Sequence, residues 1–129
     1  VDGEAPVFGP CRLMDFELEM AFFIGGPPTK LGERVTTKEA AKRVFGFVLM
    51  NDWSARDVQK WEYVPLGPFT AKNLGTSISA WVVPVAALQP FAVPNFPQEP
   101  KPFPYLQHDE VFNFNIELFV DIKREILSK

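Results

Sequence analysis

Apolar and polar side chains alternate along two stretches of the chain. In residues 14–20, Phe16, Leu18 and Met20 fall on one face and acidic residues fall on the other. In residues 112–122, every second position is apolar, and most of the positions between them are Asn, Asp or Glu. A period of two is typical of a strand with one buried face. The pattern therefore predicts two half-buried strands.

Capping residues predict two short helices between these strands. Thr36 and Glu39 have the spacing of a capping box, in which each side chain accepts a hydrogen bond from the backbone of the other residue. They predict a helix over 37–43. Ser54 is a favourable N-terminal cap, and it predicts a second helix over 55–62.

The remaining elements follow from apolar runs and from Gly and Pro. Residues 44–50 and 80–83 are short apolar runs, which predict buried strands. Residues 84–104 contain seven prolines and no periodic pattern, so a long surface connection is expected there. Several strands, two short helices and long loops predict an α+β, β-dominated fold with a mixed β-sheet or β-roll.

Length and composition limit the classes of protein to consider. With 129 residues and 47% hydrophobic side chains, the chain can build one core, so a single domain over 1–129 is expected. The net charge of -3 without a basic run argues against nucleic acid as a partner. Apolar stretches are far shorter than the roughly 20 residues of a membrane helix, so no membrane partner is expected. A single cysteine, Cys11, indicates a reducing compartment, with the cytosol as the default.

The ends of the chain add one expectation. The sequence begins at Val1 without a methionine and stops at Lys129, just after the second alternating stretch. We therefore expect it to be a piece of a longer protein.

Three carboxylates are candidates for a metal site. Glu17 and Glu19 are two residues apart on one strand face, and Asp52 follows the predicted strand 44–50. Oxygen ligands of this kind suit Mg²⁺ and Ca²⁺. The alternative is that the glutamates are ordinary solvated side chains on the outer face of a strand.

A polar helix face is a candidate for ligand binding. Arg56, Gln59 and Tyr63 share one side of the predicted second helix, and Val58 and Trp61 share the other. A guanidinium, an amide and a phenol can together bind a ligand that has carboxylate and keto oxygens. The alternative is an ordinary amphipathic surface helix.

The loop that follows contains a third group of candidates. Lys72 can stabilise a developing oxyanion, and Gly75 and Thr76 follow it at a point where the backbone can approach a ligand. The alternative is a solvated loop lysine. His108 is the only histidine, and nothing in the sequence pairs it with a nucleophile, so no catalytic role is expected for it. The GxSxG pattern of serine hydrolases does not occur.

Three segments resemble the fumarylacetoacetate hydrolase family. They are MDFELEMAFF at 14–23, MNDWSARDVQ at 50–59 and WEYVPLGPFTAKNLGTSISAWVV at 61–83. The NDWSARD part is shared with acylpyruvate hydrolases of the wider superfamily. The continuation through WEYVPLGPF and GTSISAWVV is similar to the members that act on fumarylacetoacetate, and the resemblance extends over essentially the whole chain.

The resemblance implies a reaction and a set of roles. The reaction is the metal-dependent hydrolysis of a carbon-carbon bond in the diketo acid fumarylacetoacetate, the last step of tyrosine and phenylalanine catabolism. It implies Mg²⁺ or Ca²⁺ as the cofactor, a cytosolic location and a homodimer for the full-length enzyme. The implied metal site is formed by Glu17, Glu19, Asp52, Lys72 and Thr76, the substrate contacts by Arg56, Gln59 and Tyr63, and the catalytic groups within this chain by Lys72 and Gln59.

Part of the machinery that the resemblance implies has no counterpart in this sequence. In the family a histidine paired with a glutamate activates water, and a further aspartate binds the metal; none of these matches a residue here. We therefore expect the chain by itself to be inactive. Two hypotheses remain open, a hydrolase whose other segments lie elsewhere and a catalytically silent metal-binding or interaction module.

Overall fold

The computed structural model describes residues 5–109 and 113–123 and shows short strands connected by short helices and loops. The strands are β1 (Met14–Asp15), β2 (Leu18–Ile24), β3 (Val44–Asp52), β4 (Ser54–Ala55), β5 (Thr76–Ile78), β6 (Val83–Pro84), β7 (Ala92–Val93) and β8 (Asn113–Phe114). The helices are α1 (Thr37–Arg43), α2 (Arg56–Glu62) and α3 (Val85–Leu88), with 3₁₀ turns at Thr70–Lys72, Gln89–Phe91 and Pro104–Leu106. The predicted β-dominated α+β class is confirmed.

The strands pair in three small sheets. β3 lies between β2 and β5 and also pairs with β6. β1 pairs with β4, and β7 pairs with β8. Both pairs are antiparallel, as are the pairs of β3 with β5 and of β3 with β6. Among the described residues, no helix is long and apolar enough to cross a membrane.

The described residues form two compact units. The first combines residues 5–19 with 49–78, and the second combines 20–48 with 79–109 and 113–123. The single domain expected over the whole chain stays a prediction.

The first unit is built around small side chains. Ser54, Ala55 and Ala71 are almost completely buried, at 0%, 1% and 0% exposure. Ser54 and Ala55 form β4, which pairs with β1 and contacts the 3₁₀ turn that contains Ala71. Because these side chains are small, the turn can approach β4 and α2 closely, and this places Lys72 beside them.

The second unit contains a close contact between strands and an aromatic cluster. A Cβ atom added to Gly46 in β3 would lie 2.7 Å from the carbonyl oxygen of Val83 in β6, so only glycine fits there. Phe47 packs against Phe22 and Phe114, with ring centroids 5.8 and 5.7 Å apart. These distances are typical of favourable tilted and edge-to-face aromatic pairs.

The predicted strand over 14–20 is interrupted. β1 ends at Asp15 and β2 begins at Leu18. The backbone N–H groups of the two residues between them donate to side chains: Phe16 N to Asp15 Oδ1 at 2.9 Å, and Glu17 N to Asn51 Oδ1 at 3.0 Å. Side-chain acceptors thus replace the strand ladder at this point.

The first helix begins and ends as predicted, whereas the cap of the second was predicted wrongly. Thr36 and Glu39 form the full capping box of α1. The N-cap of α2 is Ala55, and no side-chain hydrogen bond caps the helix. Ser54 lies in β4 instead, where its hydroxyl donates to the carbonyl oxygen of Asp52 at 3.0 Å. The hydroxyl also accepts from Lys72 Nζ at 2.7 Å, so these two contacts have replaced the helix cap.

The run 44–50 forms a strand as predicted, but the other runs differ from expectation. The strand predicted over 80–83 begins only at Val83, and the region 84–104 contains α3, a 3₁₀ turn and β7 rather than an unbroken loop. Proline prevents a long ladder there but permits short turns.

The final alternating stretch forms much less strand than expected. β8 ends at Phe114, and residues 115–123 are exposed and have no regular structure; Phe112 lies outside the described residues. Ile116 N donates to the carbonyl oxygen of Phe114 at 3.0 Å, which turns the backbone away from a ladder. Within the described residues, β8 pairs with the two-residue strand β7.

Candidate metal and substrate site

Three carboxylates converge in the first unit. Glu17, Glu19 and Asp52, which we call the carboxylate cluster, each place one oxygen within 4.8 Å of the others. Asp52 N donates to the carbonyl oxygen of Glu17 at 3.2 Å, and this bond joins the end of β3 to the residue before β2. The convergence expected from the strand pattern is present in the structure.

The carboxylate cluster has the dimensions of a site for a hard divalent cation. Oxygens bound to one Ca²⁺ at about 2.3–2.6 Å can be at most about 5 Å apart. The 4.8 Å limit within the cluster is compatible with a common ion. The side chains of Glu17 and Asp52 are 27% and 24% exposed, so solvent oxygens can complete the coordination shell. The donor set therefore fits the predicted metal.

Lys72 lies beside the cluster as a cation. Its Nζ is 2.5 Å from Glu17 Oε2 and 3.4 Å from Asp52 Oδ2, and it donates to Ser54 Oγ at 2.7 Å. A protonated lysine has three donors and no lone pair. In this state Lys72 neutralises carboxylate charge, and its three donors face Glu17, Asp52 and Ser54.

Thr76 reaches the same region through strand pairing. It is the first residue of β5 and pairs directly with Asp52 at the end of β3. Thr76 is exposed. The pairing places it next to one member of the cluster, as the predicted metal region requires.

Arg56 connects the cluster to the predicted substrate face. Its Nη1 is 2.8 Å from Glu17 Oε1 and donates to Gln59 Oε1 at 2.9 Å, and its Nε contacts Asp15 Oδ2 at 2.8 Å. Arg56, Gln59 and Tyr63 line a shallow cavity of about 250 Å³, together with Lys60. The three predicted substrate residues therefore share one surface.

The ion pairs shift the pKa values of their members. Hydrogen bonds from Lys72 and then Arg56 lower the pKa of Glu17 below its usual value. Burial lowers the pKa of Lys72, but the hydrogen bond to Glu17 and the charges of Asp52 and Glu17 outweigh this and raise it overall. Hydrogen bonding to Asp15 and then Glu17 raises the pKa of Arg56. The charged forms are thus favoured at neutral pH.

Sequence patterns missed three residues of this site. Asp15 pairs with Arg56, although its place on the acidic face of residues 14–20 offered a clue. Ser54 was assigned to a helix cap, whereas its hydroxyl accepts from Lys72. Glu62 binds the backbone of residues 69–71, and no local pattern indicates that the chain returns to it.

His108 lies in the other unit. It lines a cavity of about 630 Å³ together with Asn95 and Lys101 of the proline-rich region and with Gln107, which follows that region. The cavity contains none of the predicted site residues. The expectation that His108 is not catalytic stays a prediction.

Comparison with known proteins defines the family. The family model described as the C-terminal part of fumarylacetoacetate (FAA) hydrolase matches residues 2–128, so the chain belongs to the fumarylacetoacetate hydrolase family. The resemblance found in the sequence is confirmed.

The relatives narrow this class further. The chain is 59% identical over 128 residues to a fumarylacetoacetase of Homo sapiens, covering 99% of this chain and 30% of the relative. It is 59% identical over 124 residues to one of Caenorhabditis elegans, covering 96% and 30%. It is 52% identical over 118 residues to one of Arabidopsis thaliana, covering 92% and 28%. The chain thus spans less than a third of the length of these relatives.

Proposed function

We propose that the full-length protein containing this chain hydrolyses fumarylacetoacetate to fumarate and acetoacetate with a divalent cation at the carboxylate cluster. The observation that carries the proposal is the convergence of Glu17, Glu19 and Asp52 beside Lys72 and Arg56. The high identity to proteins named fumarylacetoacetase supports the choice of substrate.

The cluster and its neighbours have separate roles in this proposal. A bound Mg²⁺ or Ca²⁺ supplies Lewis acidity at a keto oxygen of the substrate. Glu17, Glu19 and Asp52 hold the cation through oxygen atoms, and Thr76 belongs to the same region. Lys72 donates to the oxygen that becomes negative as the ketone is attacked.

The helix face orients the substrate. Arg56 offers a planar fork to a carboxylate, and Gln59 and Tyr63 offer an amide and a phenol to the remaining oxygens. Gln59 also accepts from Arg56 Nη1, which holds the amide next to the guanidinium. Orientation of this kind converts binding energy into a favourable reaction geometry.

A base for the attacking water is not among the residues assigned here. The family resemblance supplies a histidine and a glutamate from segments without a match in this chain, and general-base assistance is typically worth about 10² to 10⁴ in rate. We therefore expect the chain alone to hydrolyse fumarylacetoacetate negligibly, even with Mg²⁺ or Ca²⁺ present.

The test follows the loss of diketone absorbance with the chain alone and with the full-length protein at equal concentration. We expect turnover only by the full-length protein, loss of turnover after chelation of divalent cations, and recovery on addition of Mg²⁺ or Ca²⁺. A His108→Ala variant of the chain is the matched control. Turnover by the chain within about tenfold of the full-length protein, abolished by His108→Ala, would contradict the missing-base argument.

Two alternatives are outcomes of the same experiment. Hydrolysis of an acylpyruvate in preference to fumarylacetoacetate would place the protein with the acylpyruvate hydrolases. Cation binding by the full-length protein without hydrolysis of either substrate would favour a silent metal-binding module. The homodimer and the cytosolic location stay predictions for the full-length protein.

A further inference from the structure

Glu62, the last residue of α2, binds the backbone of a loop that lies seven to nine residues further along the chain. Its Oε1 accepts from Phe69 N at 2.7 Å and from Ala71 N at 2.9 Å. Its Oε2 accepts from Thr70 N at 3.2 Å and from the Thr70 hydroxyl. Both carboxylate oxygens are therefore occupied by donors from three consecutive residues.

These donors belong to the start of the 3₁₀ turn Thr70–Lys72. The first N–H groups of such a turn have no partner within it and need an external acceptor. Phe69, the residue at the N-cap position, provides no side-chain hydrogen bond. Glu62 supplies the acceptors from α2 instead, so the helix fixes the path of the turn.

The turn ends at Lys72, whose Nζ lies among Glu17, Asp52 and Ser54. Ala71, the last of the residues that Glu62 binds and the neighbour of Lys72, is fully buried, so the turn has little room to shift. One helix therefore contacts the candidate site twice: Arg56 at its start pairs with Glu17, and Glu62 at its end holds the backbone that leads to Lys72.

We propose that Glu62 is a positioning residue that sets the place of the Lys72 ammonium relative to Glu17 and Asp52 by fixing the backbone of residues 69–71. Glu62 itself touches neither substrate nor cation in this proposal. The inference rests on the proposed hydrolysis for its effect on rate, but its effect on Lys72 can be measured without turnover.

Glu62→Gln is the informative substitution because it keeps the size of the side chain. One of the two oxygens becomes an NH₂ group. If this group faces Phe69 N and Ala71 N, both of their hydrogen bonds are lost; if it faces Thr70, the bond from Thr70 N is lost and the hydroxyl can turn to accept. At least one backbone hydrogen bond is therefore lost in either orientation. Glu117→Gln, at an exposed residue of the other unit, is the matched control for loss of one negative charge. Lys72→Met provides the background in which positioning of the ammonium no longer matters.

The experiment is a double-mutant cycle in the full-length protein with three readouts. We expect Glu62→Gln to lower kcat about tenfold or more with less than about threefold change in KM, because only a transition-state contact is displaced. We expect it to have almost no further effect on kcat in the Lys72→Met background. Amide hydrogen exchange at residues 69–71 should accelerate in Glu62→Gln and not in Glu117→Gln.

Calcium binding, measured by titration calorimetry, is the third readout and, like amide exchange, does not depend on hydrolysis. The ammonium of Lys72 opposes a cation at Glu17 and Asp52, so both Glu62→Gln and Lys72→Met should tighten Ca²⁺ binding severalfold, and the double variant should match Lys72→Met. Additive effects in the cycle, or no effect of Glu62→Gln on Ca²⁺ binding and exchange, would overturn the inference.

The two proposals can fail separately. A wild-type protein that binds Ca²⁺ but does not hydrolyse the diketone would refute the proposed function, while a non-additive Ca²⁺ cycle would still support the positioning role. An active wild type with additive cycles would refute the positioning role alone.

Discussion

Ionic side chains around the carboxylate cluster have several partners each. Arg56 contacts Asp15, Glu17 and Gln59, and Glu17 contacts both Arg56 and Lys72. Separate partners at Nε and Nη1 fix the orientation of the planar guanidinium. A lysine ammonium has no planar group that could be oriented in this way. The predicted substrate surface of α2 thus depends on Arg56 for shape as well as for charge.

Arg56→Ala is predicted to lower kcat/KM of the full-length protein about ten- to hundredfold, because a charge-assisted contact to the substrate and the orientation of Gln59 are lost together. Arg56→Lys should recover little of this loss. Steady-state kinetics with fumarylacetoacetate measure both variants. Lys38→Ala on α1, an exposed lysine of the other unit, is the control. Kinetics of Arg56→Ala equal to those of the control would exclude the substrate contact.

Sequence patterns predicted some residues of the site and not others, for a physical reason. The alternating pattern placed Glu17 and Glu19 together, although Glu17 lies in the interruption between β1 and β2. The end of an apolar run indicated Asp52. The partner of Ser54 is Lys72, which lies 18 residues further along the chain. The partners of Glu62 are backbone groups of residues 69–71, up to nine residues further along. Such partners are set by the path of the chain, so no local pattern reveals them.

The contact between β3 and β6 requires a residue without a side chain. A Cβ at Gly46 would lie 2.7 Å from Val83 O and 2.9 Å from Val82 Cγ1. Gly46→Ala is predicted to destabilise the protein by about 1–3 kcal/mol, as overpacking typically does. Chemical denaturation of the full-length protein measures this effect.

Gly9→Ala is the matched control, because no atom lies within 4 Å of a Cβ added at Gly9. Equal stability of Gly46→Ala and Gly9→Ala would show that β6 can move away from β3 without cost.

Elements that depend on local contacts were predicted more accurately than those that depend on a partner strand. The capping box of Thr36 and Glu39 stabilises α1 within four residues, and its bounds agree with the prediction. The alternation over 112–122 specifies one face of a strand but supplies no neighbour for its backbone. Within the described part of that stretch, only Asn113–Phe114 forms a strand, and one further backbone hydrogen bond joins Asn115 N to the carbonyl oxygen of Phe91.

Across the molecule, hydrogen bonds lower the pKa values of several carboxyl groups below their usual range. They are Asp15, Glu17, Glu39, Asp57 and Glu62. The largest effect is at Glu62, whose pKa falls from 4.5 to about 2, chiefly because of the Thr70 hydroxyl and the Ala71 N–H. A pKa lower in the folded than in the unfolded state stabilises the fold above the unfolded value.

Stability of the full-length protein is therefore predicted to fall as the pH decreases from about 5 to about 2, with a smaller fall in Glu62→Gln. The stabilisation from Glu62 is complete above the unfolded pKa near 4.5 and disappears as the pH approaches about 2. Thermal unfolding midpoints at several pH values, in the presence of a chelator, measure the difference. Glu117→Gln should follow the wild type, and a constant gap between Glu62→Gln and wild type down to pH 2 would contradict the prediction.

Charge neutrality follows from the grouping of side chains in the first unit. Asp15, Glu17, Glu19 and Asp52 carry four formal negative charges, and Arg56 and Lys72 carry two formal positive ones. A doubly charged ion at the proposed site would balance these six side chains, whereas a sodium or potassium ion would leave one negative charge and a lanthanide one positive charge. Among the groups of this chain, the two protein cations thus influence the valence of the balancing ion as much as the carboxylates do.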